Sequence, residues 1–98
     1  MTVRHIVLFR FRDEVTPEQV EAIEDGLAAL PGLIPEIRSY RYGRDLGLNP
    51  ANPAFGLVAE FDTTGDFATY RDHPDHRAFI ARCIEPAVVE RVSMQMEV

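Results

Sequence analysis

VRHIVLFRFR, residues 3–12, is the stretch that decides the fold. A strand repeats every two residues, so one of its faces carries Val3, His5, Val7, Phe9 and Phe11. The other face carries Ile6 and Leu8 between arginines. A strand that is apolar on both sides is typical of the centre of a sheet with both faces covered. We therefore expect residues 3–12 to form a central strand, with His5 on its apolar face.

A helix is predicted directly after this strand. Thr16 is the expected N-cap, Pro17 occupies the first helical position, and Gln19 completes a capping box. Pro31 and Gly32 predict the end of the helix. Spacings of three and four place an apolar stripe on one side, made of Val20, Ile23, Leu27 and Leu30.

Two further strands are expected in the middle of the chain. Residues 37–44 alternate weakly and contain two tyrosines, which is typical of a strand with one exposed face or edge. Residues 45–53 are rich in glycine, proline and asparagine, and these turn formers predict a loop. Residues 55–61 are apolar on most of both faces, like the first strand. We expect them to form the third strand.

The last third of the chain predicts a broken helical region and a final strand. Residues 62–66 offer N-cap candidates for a helix that must end or bend before Pro74. Pro74 then opens another helical segment, which Glu85 and Pro86 close. Its apolar stripe contains His76, Phe79, Ile80 and Cys83. In the final strand, we expect one face to hold Val88, Val92, Met94, Met96 and Val98, with Glu90 as a polar exception.

This order, β-α-β-β-α-β, predicts an α+β protein with the ferredoxin-like fold in a single domain over residues 1–98. Right-handed crossovers give an antiparallel four-stranded sheet with the helices on one face. No helix of this chain then covers the opposite face of the sheet. That face carries either Ile6 and Leu8 or the residues on the other side of the same strand. We expect a second copy to cover it, so the sequence predicts a homodimer.

Charge and composition exclude several classes of function. The net charge is −6 and the basic residues are scattered, which argues against nucleic acid as a partner. All ten basic residues are arginines, so a Schiff-base lysine is excluded. No apolar run is long enough to span a membrane, and the first residues lack a signal segment. We expect a cytoplasmic protein, with its single cysteine, Cys83, buried rather than reactive.

The segment YRDHPDH, residues 70–76, concentrates the side chains that are capable of chemistry. His76 is the best candidate base, because an imidazole with a pKa of about 6.5 accepts and returns protons at neutral pH. Tyr70 precedes the Pro74 bend and could donate a hydrogen bond to a substrate oxygen. A purely structural alternative has His76 capping a helix and Tyr70 in the core. His73 with Asp72 or Asp75 could suggest a metal site, but Pro74 breaks the helix between the histidines, and we expect no metal.

Three features together resemble the stress-responsive dimeric α/β-barrel family, Dabb. They are the opening HIVLFRF of residues 5–11, the Leu30-Pro31 helix end, and the segment 70–76. The resemblance spans essentially the whole chain and implies a ferredoxin-like protomer whose sheet packs on that of a second subunit to form a dimeric barrel. Some plant members are polyketide cyclases, and the resemblance places their catalytic pair at Tyr70 and His76 and a pocket histidine at His5. A further cyclase tyrosine and histidine would fall at Leu27 and Phe55, and do not match.

The leading hypothesis is therefore a homodimer that binds a small hydrophobic or aromatic molecule without a cofactor. The pocket is expected between sheet and helices, lined by His5, Ile23, Leu27, Leu57 and Phe79. One alternative is a cofactor-independent enzyme of the cyclase or lyase type, with His76 as the base and Tyr70 as the donor to the oxygen. A second alternative is a cofactorless monooxygenase, and a third is a role without catalysis, in which side chains fill the pocket.

Overall fold

The computed structural model describes residues 1–98, and its central strands are the two that are apolar on both faces. The strands are β1 (Val3–Phe11), β2 (Ser39–Arg44), β3 (Phe55–Phe61) and β4 (Val88–Glu97). The helices are α1 (Pro17–Leu33), α2 (Thr64–Asp72) and α3 (Pro74–Phe79), and α3 continues as a π-helical turn over Ile80–Ile84. The strands form one antiparallel sheet in the order β2-β3-β1-β4, as the ferredoxin-like prediction requires.

The hydrophobic core lies between one face of this sheet and the helices. On β1 the buried residues are Val3, His5, Val7 and Phe9, which alternate along the strand. Phe55, Leu57, Ala59 and Phe61 do the same on β3. α1 contributes Val20, Ile23, Leu27 and Leu30 to the core, as its stripe predicts. None of the helices combines the length and the apolar character that a bilayer-spanning segment needs.

The other side of the sheet, which we call the open face, carries no helix. Its apolar residues come from the three strands β1, β3 and β4, and they are Ile6, Leu8, Val58, Val92, Met94 and Met96. Two cross-strand ion pairs border this apolar centre: Arg4 with Glu60 at 2.7 Å, and Arg10 with Glu90 at 3.0 Å. An apolar centre with a rim of paired charges is the usual anatomy of a protein–protein interface.

Helix α1 begins as predicted but ends later. The Thr16 hydroxyl accepts a hydrogen bond from the Gln19 backbone N–H, and the Gln19 side chain accepts one from the Thr16 N–H, which completes the capping box. The prediction that Pro31 and Gly32 end the helix is wrong, because it continues to Leu33. Ile34, fully buried four residues after Leu30, donates its N–H to the Leu30 carbonyl. Burial of both side chains keeps this last turn on the core.

The helical region after β3 is broken where Pro74 predicts a break. Thr63 caps α2, which ends at Asp72, and His73 then caps α3 by accepting the Asp75 N–H on Nδ1 at 3.1 Å. The π-helical turn that follows is closed by the Glu85 N–H, which bonds the Ile80 carbonyl five residues earlier. Such a turn accommodates one more residue than an α-helical turn, and the extra residue is often found near functional sites.

Two strand predictions need correction. β2 begins at Ser39 rather than at residue 37, because the Ile37 N–H is already bonded to the Ile34 carbonyl in the turn after α1. Val88 does not share a face with Val92 and Met94. The register of β4 against β1 shifts between Arg10 and Phe11, so that Val88 pairs with Phe11 and is buried on the helix side. A bulge of this kind turns the side chains beyond it to the other face.

Candidate functional site

A cavity of about 610 Å³ lies between the helix side of the sheet and the helical segments after β3. We call it the sheet–helix cavity. β1 and β4 contribute its floor, including His5, Ser93 and Gln95, and the region from α2 to the π-helical turn contributes the opposite wall, including Tyr70, His76 and Ile80. Ten of its eighteen lining residues are hydrophobic, so the interior suits an apolar molecule.

His5 projects from the centre of β1 into this cavity and is neutral at physiological pH. The residue is only 8% exposed, and burial is the main reason that its pKa falls to about 4, with the charges of His76 and Arg91 acting in the same direction. The Gln95 side-chain nitrogen lies 3.0 Å from Nδ1. An amide N–H₂ can only donate, so Nδ1 accepts and Nε2 carries the proton. The N–H of His5 that remains to donate is therefore on Nε2.

His76 has the opposite proton arrangement. Its Nδ1 lies 3.0 Å from the Arg71 carbonyl oxygen, and a carbonyl can only accept, so Nδ1 carries the proton. Burial lowers the pKa of His76 below its ordinary value, which favours the neutral ring. The Nε2 of that neutral ring is a lone-pair acceptor. One nitrogen of His76 thus binds a backbone carbonyl near the end of α2, and the other makes no hydrogen bond within the protein.

Tyr70 lies between the two histidines. Its ring centroid is 4.1 Å from that of His76 and 6.0 Å from that of His5. The side chain is 1% exposed, and its hydroxyl is 2.7 Å from the hydroxyl of Tyr40 on β2. Burial raises the pKa of Tyr70 to about 12 and also raises the pKa of Tyr40. Both phenols are therefore protonated at neutral pH, and because they share one hydrogen bond, one of the two protons remains available.

The structure brings most of the predicted site residues together. Besides the two histidines and Tyr70, the side chains of Leu27, Leu57 and Phe79 line the sheet–helix cavity. Ile23 does not line it, which corrects the sequence expectation. Ile23 is fully buried in the core between α1 and the sheet, because the apolar stripe of α1 is longer than the part of the cavity it faces.

The other polar residues of the segment 70–76 lie outside the cavity. Asp72 forms an ion pair with Arg71 through two hydrogen bonds. Asp75 is exposed beside His73, which caps α3. No three His, Cys, Asp or Glu side chains come together in a group that would hold a metal ion. The cluster in the sequence thus separates into inward-facing Tyr70 and His76 and outward-facing residues around them.

Sequence reasoning misses five polar residues that line the cavity, and also Tyr40, the hydrogen-bond partner of Tyr70. The five are Arg77, Glu85, Arg91, Ser93 and Gln95. Tyr40 and Tyr70 are thirty positions apart in the sequence and meet only when β2 passes the end of α2. Gln95 pairs with His5 through the β1–β4 register, and Arg91 pairs with Phe9 in the same ladder. The alternation of β4 is the only signal that was available, because it places Arg91, Ser93 and Gln95 on one face of that strand.

Comparison with known proteins decides the family. The model of the stress responsive A/B barrel domain matches residues 3–98, nearly the entire chain. The chain belongs to the Dabb family.

Several relatives of this Dabb protein share its fold at differing similarity. A dimeric ferredoxin-like protein of unknown function from Thermobifida fusca is 47% identical, with a TM-score of 0.92 over 100% of this chain and 92% of the other. The hydroxynitrile lyase from Passiflora edulis is 25% identical, with a TM-score of 0.87 over 99% and 93% of the two chains. The olivetolic acid cyclase of Cannabis sativa is 26% identical over 81 residues, which cover 81% of this chain and 80% of the cyclase.

Proposed function

We propose that this Dabb protein is a homodimer that binds a small, largely apolar molecule in the sheet–helix cavity of each protomer. The observation that carries the proposal is that one open cavity reaches both His5 and His76 instead of being filled by side chains. Its volume of about 610 Å³ lies within the range of small-molecule sites, roughly 300–1,000 Å³. A His5 donor and a His76 acceptor would orient a polar group on such a ligand.

The homodimer rests on the open face and on the dimeric relative from Thermobifida fusca. Ile6, Leu8 and Met94 form part of a continuous apolar surface that no element of this chain covers. Burying this apolar surface against a second copy removes it from water, which stabilises a dimer.

Binding is tested by blocking the cavity from one of its walls. Ala81 lines the cavity, whereas Ala78 is exposed on α3 and does not line it. With para-butylacetophenone as the probe, calorimetry should detect binding to the wild type and to Ala78→Trp, and none to Ala81→Trp. Equal binding to the two variants, or no binding to the wild type, would contradict the proposal.

A second candidate is a cofactor-independent enzyme of the cyclase or lyase type. The proton on Nδ1 of His76 supports it, because the neutral ring then offers Nε2 as a base inside an apolar cavity. We propose that Nε2 removes a proton next to a carbonyl group. When Tyr40 donates to Tyr70, the Tyr70 hydroxyl proton is free to stabilise the enolate oxygen. The imidazolium then returns the proton to the product. A cyclase and a lyase among the relatives are consistent with this chemistry.

Proton abstraction has a direct readout that does not depend on the natural substrate. In heavy water, the methyl protons of para-butylacetophenone should exchange faster with the wild type than without protein, as followed by proton NMR. A general base contributes roughly 10²–10⁴-fold, so His76→Gln should lose at least about a hundredfold. His73→Asn is the matched control, because His73 does not line the cavity and asparagine can still cap α3. Exchange that survives in His76→Gln would refute the assignment, and oxygen uptake with a phenolic substrate would instead indicate the monooxygenase.

A further inference from the structure

The sheet–helix cavity carries positive charge although the chain as a whole is acidic. The net charge of the protein is −6, yet the cavity is lined by three arginines and only one carboxylate, Glu85. Acidic residues elsewhere outnumber the basic ones, so this local excess has the opposite sign to the rest of the surface. A local field of this kind concentrates anions.

Two of the three arginines have no ion-pair partner. Arg71 is neutralised by Asp72, whose two carboxylate oxygens both accept from its guanidinium at 2.9 Å. Arg77 and Arg91 form no ion pair with any carboxylate. Arg77 comes from α3, next to His76 in the sequence, and Arg91 comes from β4 on the floor of the cavity. A ligand in the cavity would therefore meet guanidinium groups from two opposite walls.

Arg91 belongs to a polar row along β4. Arg91, Ser93 and Gln95 occupy alternate positions on the helix side of the strand, opposite Phe9, Val7 and His5 of β1. All three residues of the row line the cavity, and Gln95 already holds His5. Burial is the main cause of the shifted pKa values of His5, His76 and Tyr70, and the charge of Arg91 lowers all three as well. The charge of Arg91 thus acts on His5, Tyr70 and His76.

We propose that the ligand of this cavity is a monoanion, a largely apolar molecule with one carboxylate that Arg77 and Arg91 bind. The charge balance favours a single negative charge, because two unpaired arginines face one unpaired glutamate. Guanidinium groups bind carboxylates through two parallel hydrogen bonds, which also fixes the orientation of the ligand. This inference rests on the proposed ligand-binding function and adds the chemical class.

The test compares three probes that differ only in their polar group. By calorimetry, para-butylbenzoate should bind the wild type at least about tenfold more tightly than the neutral para-butylbenzamide. The dianionic para-butylphenylphosphonate should gain no further advantage. Arg91→Gln and Arg77→Gln should each reduce the preference for benzoate over benzamide severalfold. Arg82→Gln removes the same charge from an exposed residue of the π-helical turn that does not line the cavity, and should preserve that preference.

The outcomes separate this inference from the proposed function. If benzamide binds as tightly as benzoate, the cavity is a ligand site but the monoanion is refuted. If the phosphonate binds much more tightly than benzoate, the assignment of a single charge is wrong. If none of the probes binds, both proposals fail. If Arg82→Gln removes the preference for benzoate as fully as Arg91→Gln does, the net charge of the protein explains the preference. That result would refute the assignment of Arg77 and Arg91 as the carboxylate site.

Discussion

At the scale of single residues, the buried His5 couples the stability of the fold to pH. Its pKa is lowered from 6.5 to about 4 in the folded protein, mainly by burial, so the unfolded chain binds more protons between these values. The stabilising contribution of neutral His5 is complete above pH 6.5 and is lost as the pH falls through about 4. Burial also lowers the pKa of His76, which acts in the same direction.

We therefore expect the free energy of unfolding to fall between pH 6.5 and pH 5, and to fall less in His5→Gln than in the wild type. The variant cannot take up the proton that destabilises the folded state. Urea unfolding measures this difference between the two proteins. Carboxylates contribute little to it, because most of them titrate below this pH range. Identical slopes for the two proteins would show that His5 is not the group responsible.

The hydroxyl pair of Tyr40 and Tyr70 gives a second prediction. Either substitution by phenylalanine leaves one buried hydroxyl without its partner, so each should cost about 1–2 kcal/mol of unfolding free energy. The double variant should cost less than the two single changes added together, because it leaves no unpaired hydroxyl. Tyr42→Phe is the control: Tyr42 packs on Tyr40 at a centroid distance of 6.1 Å, but its hydroxyl has no partner. Strict additivity in thermal unfolding would argue against the pair.

At the scale of elements, α1 and α3 pack closely because α1 has no side chain at Gly26. A Cβ atom built there would overlap two ring carbons of Phe79. Phe79 also lines the sheet–helix cavity, so a ring displaced from α1 can move into the space proposed for the ligand. The contact between two helices thus determines the shape of the site.

Gly26→Ala should accordingly destabilise the protein by about 1–3 kcal/mol, the usual cost of overpacking, and weaken binding of the para-butylacetophenone probe. Gly32→Ala is the matched control in the same helix, since nothing lies within 4 Å of a Cβ there. That change should be neutral or stabilising by up to about 1 kcal/mol, because alanine favours helix. Equal effects of the two substitutions in chemical unfolding would contradict the helix-packing explanation.

At the scale of the whole molecule, the open face is the surface proposed for assembly. Met94 lies beside Ile6 on that face and is 54% exposed in the protomer, and a carboxylate buried there by a second copy would be strongly unfavourable. We expect Met94→Glu to convert the dimer into a monomer in light scattering at micromolar concentration. Leu33→Glu makes a comparable change on α1, where the residue is 51% exposed away from the open face. This control should remain dimeric, and a monomeric wild type would refute the homodimer.

Local chemistry explains which parts of the fold the sequence predicts well. Thr16 and Gln19 are neighbours on one helical turn, so the cap of α1 can be predicted from a few adjacent residues. Pro74 restricts the local backbone, so the break between α2 and α3 can be predicted in the same way. The strand of residues 55–61 is observed with its predicted bounds. The predicted end of α1 is wrong because the burial of Ile34, a tertiary effect, outweighs the local preference of Pro31 and Gly32.

The candidate site is predictable only in part, for a related reason. His5, Tyr70 and His76 stand out in the sequence by their residue types. The hydrogen-bond partners that decide which of their atoms carries a proton depend on how the strands pair. Gln95 reaches His5 because β4 pairs with β1 at one offset, and the bulge near Arg10 shows that this offset changes along the strand. The period of two gives the face of a residue but not its neighbour across the strands, so Gln95, Arg91 and Tyr40 escape prediction.

The pairing of β1 with β4 also has a consequence for synthesis. β1 leaves the ribosome first, yet Val3 pairs with Glu97 and Ile6 with Met94, so one edge of the first strand stays without a partner until the last strand has emerged. Until then the nascent chain carries an unpaired strand edge next to the apolar residues Ile6 and Leu8, a combination that favours aggregation. Cotranslational folding can complete α1 and the β2–β3 hairpin early, but the sheet–helix cavity acquires its floor last.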